Sequence, residues 1–542
     1  MPDTHVVTNQ VPPLTDWNPA TSPVLIEALI REGGGWGLDE VTELGALSGG
    51  ATAQRWGDLA DRNIPVLHTH DRYGNRVDEI EYDPAYHELM RTAIAHGLHA
   101  APWVDDRAGA HVVRAAKMGV WTPEPGHVCP ISMTYAVVPA LRHNTELAHA
   151  YEPLLTSRAY DPELKIPSTK VGITAGMSMT EKQGGSDVRA GTTAAVRNAD
   201  GSYAVTGHKW FTSAAMSDVF LVLAQAPAGL SCFLMPRVLP DGNRNRMFLQ
   251  RLKNKLGNHG NASSEVEYDG AIAWLVGEEG RGVPTIIEMV NLTRLDCTLG
   301  SATSMRHGLT RAIHHAAHRK AFGAYLIDQP LMRNVLADLA VEAEAATIVG
   351  MRMAGATDAA TRGDERETLL RRIGLAAAKY WVCKRATPHA GEAMECLGGN
   401  GYAEDSGMPR LYREAPLMGI WEGSGNVSAL DTLRAMATRP ECVEVLFDEL
   451  GITAGNDARL DAHVDVLRTS LADLASIEYR ARKVAEDITL ALQASLLVRH
   501  GHPAVTEAFL ATRMARDWGG AFGTLPTGLD LAPIIERALV KG

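Results

Sequence analysis

The chain has 542 residues, 45% of them hydrophobic, and a formal net charge of −12 at pH 7. At roughly 150 residues per domain, this length and composition predict three or four domains with large apolar cores. The negative charge argues against nucleic acid as the main partner, because the surface as a whole repels polyanions.

The cysteines and the apolar runs bear on the cellular compartment. The six cysteines are scattered without a Cys-x-x-Cys spacing, which fits a reducing compartment and argues against a disulfide framework or structural zinc. The first residues carry no basic or apolar leader, and no run of about 18 apolar residues occurs. We therefore expect a cytoplasmic protein without a membrane span.

The first half of the chain changes character once. From about residue 20 to 165 the apolar spacing is mostly helical, as in SPVLIEALIREG and AYHELMRTAIAHGLHA, with prolines and glycines between the segments. From about 172 to 280 the pattern is that of strands, in GSYAVTGHKWFTS, VFLVLAQ, GLSCFLMP and SSEVEYDGAIAWLVG. The sequence therefore predicts helices followed by a compact β domain.

Helices return from residue 284 and continue to the end of the chain. The first are long and amphipathic, in ATSMRHGLTRAIHHAAHRKAF and LMRNVLADLAVEAEAATIVGMRMA. Because helices precede and follow the β domain, the chain does not alternate in a βαβ pattern, and a doubly wound nucleotide-binding fold is not expected. Beyond about 440, a seam at four-three spacing is formed by Leu460, Val464, Leu467, Leu471 and Leu474.

Three stretches rich in glycine or hydroxyl groups are candidates for binding a flat heterocycle or a pyrophosphate. In MTEKQGGSDV, residues 179–188, glycines allow close backbone approach and hydroxyls offer hydrogen bonds. In HKWFTS, residues 208–213, an aromatic pair precedes two hydroxyls, which suits stacking on a ring. The third stretch, ECLGGNGY at 395–402, ends a helix. The structural alternatives are a surface turn, a buried strand aromatic and a helix C-cap.

Residues 419–427, GIWEGSGNV, place a single carboxylate, Glu422, after two apolar side chains and before small residues. Gly423 and Gly425 would each cost about 1 kcal/mol inside a helix, so a loop that approaches a ligand closely is predicted. Ile420 and Trp421 would exclude water from the acid and raise its pKa, which suits a general base. The alternative is a solvated loop acid.

Three further patterns resemble known sites but are better explained as ordinary structure. The Gly-x-Gly-x-x-Ser spacing at 423–428 lacks the third glycine and the preceding strand of a dinucleotide fingerprint. His314 and His318 are one turn apart like zinc-protease ligands, but His315 replaces the catalytic glutamate, so no metal is expected. Between 241 and 257 five basic residues face one acid, which predicts a solvated β-hairpin rather than a site for CoA phosphates or nucleic acid.

Six motifs, taken in order, resemble those of the acyl-CoA dehydrogenase flavoprotein family. They are MTEKQGGSDV, HKWFTS, GEEGRG at 277–282, HRKAFG at 318–323, ECLGGNGY and IWEGSGN. TEKQGGSD, GHKWF, IWEGSGN and the segment after residue 440 are similar to the AidB-like branch, whose flavoproteins are tied to the bacterial response to DNA alkylation. The resemblance implies an α+β fold with an N-terminal helical domain (1–170), a β-barrel domain (171–283), a C-terminal four-helix bundle (284–438) and an additional helical domain (439–542).

The resemblance also implies FAD as the cofactor and assigns residue roles. Glu422 corresponds to the catalytic base that removes the α-proton of an acyl-CoA thioester while hydride leaves the β-carbon for flavin N5. Its backbone amide would polarise the thioester carbonyl. A homotetramer, built as a dimer of dimers, would let the adenosine diphosphate part of FAD be reached across a subunit boundary by Arg319, Phe322, Gly398 and Gly399. The full set implied to bind FAD is Met179, Thr180, Gly185, Ser186, Trp210, Phe211, Thr212, Ser213, Arg319, Phe322, Gly398, Gly399, Trp421, Gly423, Ser424, Gly425 and Asn426.

Two residues depart from the family pattern. Glu395 stands where much of the family has glutamine near the cofactor's diphosphate, which is electrostatically unfavourable unless an arginine offsets it. Trp421 replaces the usual tyrosine before the base, and its larger ring would narrow the acyl cavity. The expected substrate is therefore a small or branched acyl thioester, with the electron acceptor unknown.

The main functional hypothesis is an FAD-dependent oxidoreductase of the acyl-CoA dehydrogenase type. The alternatives are a DNA-binding flavoprotein of the alkylation response with vestigial dehydrogenase activity, and a fold that has lost its cofactor. In the AidB-like branch duplex binding is attributed to the C-terminal tail, and phosphate contact requires clustered Lys and Arg. Residues 440–542 hold 10 basic and 15 acidic residues, a formal charge of −5. The small basic groups at 480–483 and 513–516 form no broad face, so weak or no DNA affinity is expected.

Overall fold

The computed structural model describes residues 4–539, so the outermost three residues of each predicted terminal domain lie outside the described residues. The described residues form eighteen α-helices and eleven β-strands. The helices are α1 (Pro23–Arg31), α2 (Leu38–Gly49), α3 (Ala51–Arg62), α4 (Pro84–Ala95), α5 (Ala101–Val104), α6 (Ala110–Val120), α7 (Val128–Leu141), α8 (Thr145–Leu155), α9 (Gly282–His318), α10 (Pro330–Thr361), α11 (Glu365–Glu395), α12 (Met408–Met418), α13 (Gly425–Thr438), α14 (Glu441–Gly451), α15 (Ala458–Ala472), α16 (Ala481–His500), α17 (Pro503–Phe509) and α18 (Ala532–Ala538). The strands are β1 (Val66–His70), β2 (Arg76–Glu81), β3 (Ala175–Ser178), β4 (Ala194–Arg197), β5 (Tyr203–Thr212), β6 (Val219–Ala226), β7 (Gly229–Pro236), β8 (Met247–Leu252), β9 (Ser264–Val276), β10 (Lys320–Ala321) and β11 (Ala324–Tyr325).

The chain divides into two compact units. The barrel unit comprises residues 52–107 and 121–293. The helical unit comprises the residues up to 51, residues 108–120 and those from 294 onward. The division falls within α9, between Thr293 and Arg294.

Seven strands form the centre of the barrel unit. β6, β4, β5, β9 and β7 pair in that order, and β7 pairs again with β6, so these five strands close into a ring. β3 adds to β6, and β8 adds to β9. Because successive side chains on a strand point to opposite faces, one face of each strand can fill the interior, where Tyr203, Phe220, Val222 and Phe233 meet in a buried core. The predicted β domain is therefore confirmed.

A hairpin of β1 and β2 lies in a region predicted to be helical. The two strands pair antiparallel, with Val66 opposite Glu81. The turn is closed by Asp71, whose carboxylate accepts hydrogen bonds from the backbone N–H groups of Tyr73 and Asn75. The turn residues DRYGN between two short runs were the sequence signal for a hairpin here, because the apolar residues of RVDEIE do not alternate. The mostly helical interpretation of residues 20–165 is therefore wrong for this segment.

Three long helices, α9, α10 and α11, of 37, 32 and 31 residues, organise the helical unit. α11 packs against α10, α12, α13 and α16. α16 belongs to the predicted tail, yet every residue from Asp487 to Leu497 is buried, and this helix also contacts α10 and α13. The helical character predicted for residues 284 onward is confirmed. No helix among residues 4–539 combines the length and apolar character that a membrane crossing requires.

The predicted leucine seam of the tail is correct for most of its length. Leu460, Leu467 and Leu471 are buried on α15. Leu474 is 71% exposed, because α15 ends at Ala472 and the helical spacing no longer applies beyond that point. The prediction is therefore wrong for Leu474.

Acidic pH is expected to destabilise the helical unit through His389. This histidine is fully buried on α11, where its Nε2 lies 3.0 Å from the carbonyl oxygen of Leu339. Burial lowers its pKa from the ordinary 6.5 to about 4. Between pH 6.5 and about pH 4, the histidine is protonated in the unfolded chain but not in the folded chain. The free energy of unfolding therefore falls as the pH falls, by about 1.4 kcal/mol per pH unit.

The measurement is urea unfolding of the wild type and His389→Gln at pH 7 and pH 5. Glutamine can still donate a hydrogen bond to Leu339 but does not titrate, so the variant should lose about 2 kcal/mol less stability than the wild type over this range. His70→Gln changes an exposed histidine at the end of β1 and should behave as the wild type. Equal losses in wild type and His389→Gln would contradict the prediction.

Candidate active site

Glu422 lies in a tight turn that joins α12 to α13. Its backbone φ is 56° and that of Gly423 is 107°, so both residues are in the left-handed region. This conformation costs a residue with a side chain about 1–3 kcal/mol and persists only where the surroundings hold it. The predicted loop is correct at Gly423, whereas Gly425 is already the first residue of α13.

Three consecutive carbonyl oxygens of this turn accept hydrogen bonds from buried cations. Lys379 Nζ donates to the carbonyl of Trp421 at 2.9 Å and to the carbonyl of Gly423. Arg294 Nε donates to the carbonyl of Glu422 at 2.9 Å. The backbone is thereby fixed at Glu422 and on either side of it, which accounts for the strained φ.

A buried acid on α13 anchors Arg294. Asp431 accepts a hydrogen bond from Arg294 Nη1 at 2.6 Å and from both terminal nitrogens of Arg372 at 3.0 Å. Burial alone would raise the pKa of Asp431, but Arg294 and Arg372 hold it below its ordinary value. The carboxylate therefore stays charged and keeps Arg294 directed at the turn.

The Glu422 side chain is half-buried and shares its electrostatic surroundings with Cys297 on α9. Burial raises the pKa of the Cys297 thiol well above its ordinary value; Lys379 opposes this rise, and the Glu422 carboxylate adds to it. Ile420, predicted to help exclude water from Glu422, is instead 63% exposed. Trp421 is half-buried, so of the two apolar neighbours only Trp421 can cover the acid.

The two segments predicted to hold a flavin ring lie side by side in the barrel unit. The backbone N–H of Trp210 donates to the carbonyl of Thr180 at 2.8 Å. The backbone N–H of Lys182 donates to His208 Nε2 at 3.0 Å. MTEKQGGSDV and HKWFTS therefore form one continuous surface.

A buried ion pair fixes this surface from within the barrel. Lys209 Nζ lies 2.9 Å from Glu181 Oε1 and also donates to the carbonyl of Met179 at 3.3 Å. The Glu181 carboxylate accepts the backbone N–H groups of Thr192 and Thr193 as well. Burial alone would raise the pKa of Glu181, yet Lys209 and these N–H groups hold it well below its ordinary value. Removing one partner of such a buried pair typically costs about 3–5 kcal/mol, so its role is to hold the two segments in place.

The accessible side of the two segments suits a flat heterocycle. Phe211 is 48% exposed and presents an aromatic ring. Gly185 is required, because a Cβ there would lie 2.5 Å from Thr180 Oγ1 and obstruct that hydroxyl. Thr212, in contrast, is buried and its hydroxyl hydrogen-bonds to that of Ser178. Hydroxyls beside an exposed aromatic side chain fit the rim of a flavin, and the Lys253 ammonium lies over the rings of Trp210 and Phe211. The fully or partly accessible members are Met179, Thr180, Gly185, Ser186, Trp210, Phe211 and Ser213.

The residues predicted to reach the adenosine diphosphate part lie in the helical unit. Arg319 follows α9 directly, and its guanidinium donates to the carbonyl of Asn9. Phe322, in the turn between β10 and β11, has a φ of 53° and a side chain that is 100% exposed. Gly398 and Gly399 follow α11, and a Cβ at either would meet no atom within 4 Å. Phe322 and the two glycines therefore leave room for a ligand or a neighbouring chain, whereas the guanidinium of Arg319 is already bonded to Asn9.

The histidines at 314 and 318 and the basic residues of 241–257, which were not expected to form a site, contact other groups of the protein. His314 Nε2 lies 2.8 Å from the carbonyl oxygen of Pro12, and His318 Nδ1 lies 2.8 Å from that of His314. Within residues 4–539, no group of three or more potential ligand side chains is placed to hold a metal ion. Four of the five basic residues of 241–257 are paired with acids: Arg244 with Glu79, Arg246 with Asp269, and Arg251 and Lys253 with Glu265. The fifth, Lys255, donates to the carbonyl of Asn261.

Arg294, Lys379 and Asp431 secure the Glu422 turn, but none of them stands in a recognisable sequence motif. Each is a charged residue within a helical stretch that is otherwise largely apolar, as in LAAAKYWVC around Lys379. Charged side chains are almost never fully buried without a partner. A charged residue in a largely apolar helical stretch therefore indicates a buried ion pair or hydrogen bond. The sequence does not show which residue is its partner.

Three family models match the chain. They are the N-terminal domain of the adaptive response protein AidB at residues 9–162, the acyl-CoA dehydrogenase middle domain at residues 176–271 and the acyl-CoA dehydrogenase C-terminal domain at residues 280–437. The middle-domain match includes both segments of the barrel surface, and the C-terminal match includes Arg294, Lys379, Glu422 and Asp431.

Whole-chain relatives agree with these matches. AidB of Escherichia coli K12 is 43% identical over 511 residues, which is 93% of this chain and 94% of that protein. Acyl-CoA dehydrogenase family member 11 of Caenorhabditis elegans is 33% identical over 78% of this chain and 72% of its own length. The crystal structure of Caenorhabditis elegans ACDH-11 in complex with C11-CoA superimposes with a TM-score of 0.83 at 29% identity, covering 95% of this chain and 93% of that one. An acyl-CoA dehydrogenase complexed with FAD from Bacillus anthracis, 19% identical, shares the fold with a TM-score of 0.66 over 96% of this chain and 93% of its own.

Proposed function

Because the chain belongs to the acyl-CoA dehydrogenase family, in its AidB-like branch, we propose that it is an FAD-dependent oxidoreductase that removes two hydrogens from an acyl-CoA thioester. The observation that carries the proposal is the Glu422 turn. A lone carboxylate is held in a strained backbone conformation by hydrogen bonds from Lys379 and Arg294 to three successive carbonyls. Such strain is typical of functional positions, where the surrounding structure fixes a reacting group.

In the proposed reaction Glu422 is the base. One carboxylate oxygen takes the proton from the α-carbon, so a C–H bond breaks and an O–H bond forms. FAD, when bound, supplies the oxidant by accepting the hydride that leaves the β-carbon. The backbone N–H of Glu422 polarises the thioester carbonyl. Lys379 and Arg294 keep the turn in one conformation, so the carboxylate meets the α-carbon without reorganising.

The proposed cofactor contacts follow from the accessible surfaces. The isoalloxazine ring is held by MTEKQGGSDV and HKWFTS, with Glu181 and Lys209 fixing that surface from beneath. The adenosine diphosphate part is reached by Arg319, Phe322 and the paired glycines at 398–399 across a subunit boundary in a homotetramer. The complete exposure of Phe322 and the open space at both glycines support this assignment.

The proposed substrate class is a CoA thioester with a small or branched acyl group. The relative ACDH-11 was solved with C11-CoA, which supports the thioester class. Trp421 supports the restriction in size, because its half-buried ring directly precedes the base where the family usually has tyrosine.

The basic residues of the tail favour the dehydrogenase over the DNA-binding alternative. Arg513 is buried and pairs with Asp338 and Glu342, and Lys483 pairs with Asp487. Cations held in intramolecular pairs are not available as a phosphate-binding face. This supports weak or no affinity for duplex DNA.

Anaerobic titration of the flavin-loaded protein with a panel of acyl-CoAs tests the proposal. The panel holds short, long and branched acyl groups, C11-CoA among them, and the readout is the visible absorbance of the flavin. At least one short or branched acyl-CoA is expected to bleach it. No reduction by any acyl-CoA, together with duplex binding that weakens as salt increases, would instead establish the DNA-binding alternative.

A further inference from the structure

The side chain of Asn426 accepts a hydrogen bond from a residue that lies outside the acyl-CoA dehydrogenase domains matched in this chain. Arg482 Nε donates to Asn426 Oδ1 at 2.8 Å. Asn426 is the second residue of α13, and Arg482 is the second residue of α16. The acyl-CoA dehydrogenase C-terminal domain matches only as far as residue 437. The contact therefore comes from a segment that this domain does not include.

Packing determines where Arg482 can reach. Ala481, Val484 and Ala485, its neighbours on the first turns of α16, are buried, and the helix lies against α11 and α13. Arg482 itself is exposed. Its backbone is thus held by a rigid helix, while its guanidinium lies at the surface beside the Glu422 turn.

The bond sets the chemistry of the Asn426 amide. Since Oδ1 accepts from Arg482, the orientation of the amide and the position of its NH₂ donor are fixed. The guanidinium also places a permanent positive charge beside this donor. A second cation is near, because a Cβ on Gly425 would lie 3.5 Å from Lys384 Nζ. An amide donor beside the Arg482 guanidinium, with Lys384 next to the preceding residue, is suited to an anionic or acceptor-rich ligand.

We infer that Arg482 is a positioning residue for FAD, which orients Asn426 and adds positive charge next to it, so that the C-terminal segment takes part in holding the cofactor. This rests on the proposed function and on the family resemblance, which implies that Asn426 contacts the flavin. A basic group at 480–483 also suggests DNA binding. The guanidinium of Arg482, however, already donates to Asn426 on the first turn of α13.

The test measures the dissociation constant of FAD, by quenching of flavin fluorescence, for the wild type, Arg482→Gln, Arg482→Lys and Arg468→Gln. Arg482→Gln is expected to bind FAD roughly three- to tenfold more weakly, the effect of a charge-assisted hydrogen bond at a solvent-exposed position. Arg482→Lys should recover part of the loss, because it retains the charge. Arg468→Gln removes another exposed tail arginine, whose guanidinium lies over the ring of Phe447, and should bind as the wild type.

Two readouts separate positioning from a general structural effect. The salt dependence of FAD binding should be shallower in Arg482→Gln than in the wild type, because one positive charge is lost. Asn426→Ala combined with Arg482→Gln should be no weaker than the weaker single variant, because both act through one contact. Wild-type affinity in Arg482→Gln, or additive losses in the double variant, would overturn the inference. Failure of the wild type itself to bind FAD would overturn the proposed function.

Discussion

Glu422→Gln is expected to bind FAD normally and to lose reduction of the flavin by acyl-CoA. The rate of anaerobic bleaching should fall by about 10²- to 10⁴-fold, the usual contribution of a positioned general base. Glutamine has nearly the shape of glutamate, and the turn is held through backbone carbonyls that the substitution does not alter. Binding of acyl-CoA should therefore persist, and the loss should appear in the rate of proton removal. Stopped-flow absorbance of the flavin measures this rate directly.

Glu441→Gln is the matched control for this experiment. It makes the same change at an exposed acid at the start of α14 and should reduce at the wild-type rate. Reduction of Glu422→Gln at the wild-type rate would show that another group is the base. Loss of the flavin from Glu422→Gln would show that the acid has a structural role instead.

The fold could largely be predicted from sequence because its main elements have strong local patterns. The strands of the barrel carry alternating or continuous apolar side chains, as in VFLVLAQ, and the long helices keep an apolar face over many turns. The hairpin at β1 and β2 was not predicted because its strands are short and mostly exposed, and their apolar residues do not alternate with a period of two. The burial predicted for Leu474 was wrong for a related reason, because apolar spacing alone does not indicate where a helix ends.

The site was predictable only where its residues are adjacent in sequence. Glu422 and the two barrel segments stand in motifs that resemble a family, and hydrogen bonds join the two segments as expected. The supports of the Glu422 turn come from α9, α11 and α13, and long-range pairing of this kind has no signature in spacing. Ile420 illustrates the same limit. Its position beside the acid suggested a cover, yet the direction of a side chain in a left-handed turn depends on the backbone that distant residues impose.

Lys379→Met is expected to impair catalysis strongly without removing any group that reacts. Lys379 is 1% exposed, and its ammonium donates to the carbonyls of Trp421 and Gly423. Methionine is unbranched and one atom shorter than lysine, so it fills most of the space but leaves both carbonyls without this donor, at a cost of about 1–3 kcal/mol for each buried polar group. The turn can regain hydrogen bonds only by relaxing the positive φ of Glu422, which moves the carboxylate. A displacement of about 1 Å typically costs about 10²-fold in rate.

The measurement separates this effect from loss of the cofactor and from unfolding. Lys379→Met should retain FAD, because the barrel segments are unchanged, and should show faster amide hydrogen exchange at 421–425 together with slower bleaching by acyl-CoA. Lys165→Met makes the same chemical change at a lysine that pairs with Asp161 and Glu163 at the surface, and it should match the wild type in all three readouts. If Lys379→Met reduces as fast as the wild type, then Arg294 alone is enough to hold the turn, and the strained conformation of Glu422 does not depend on both cations.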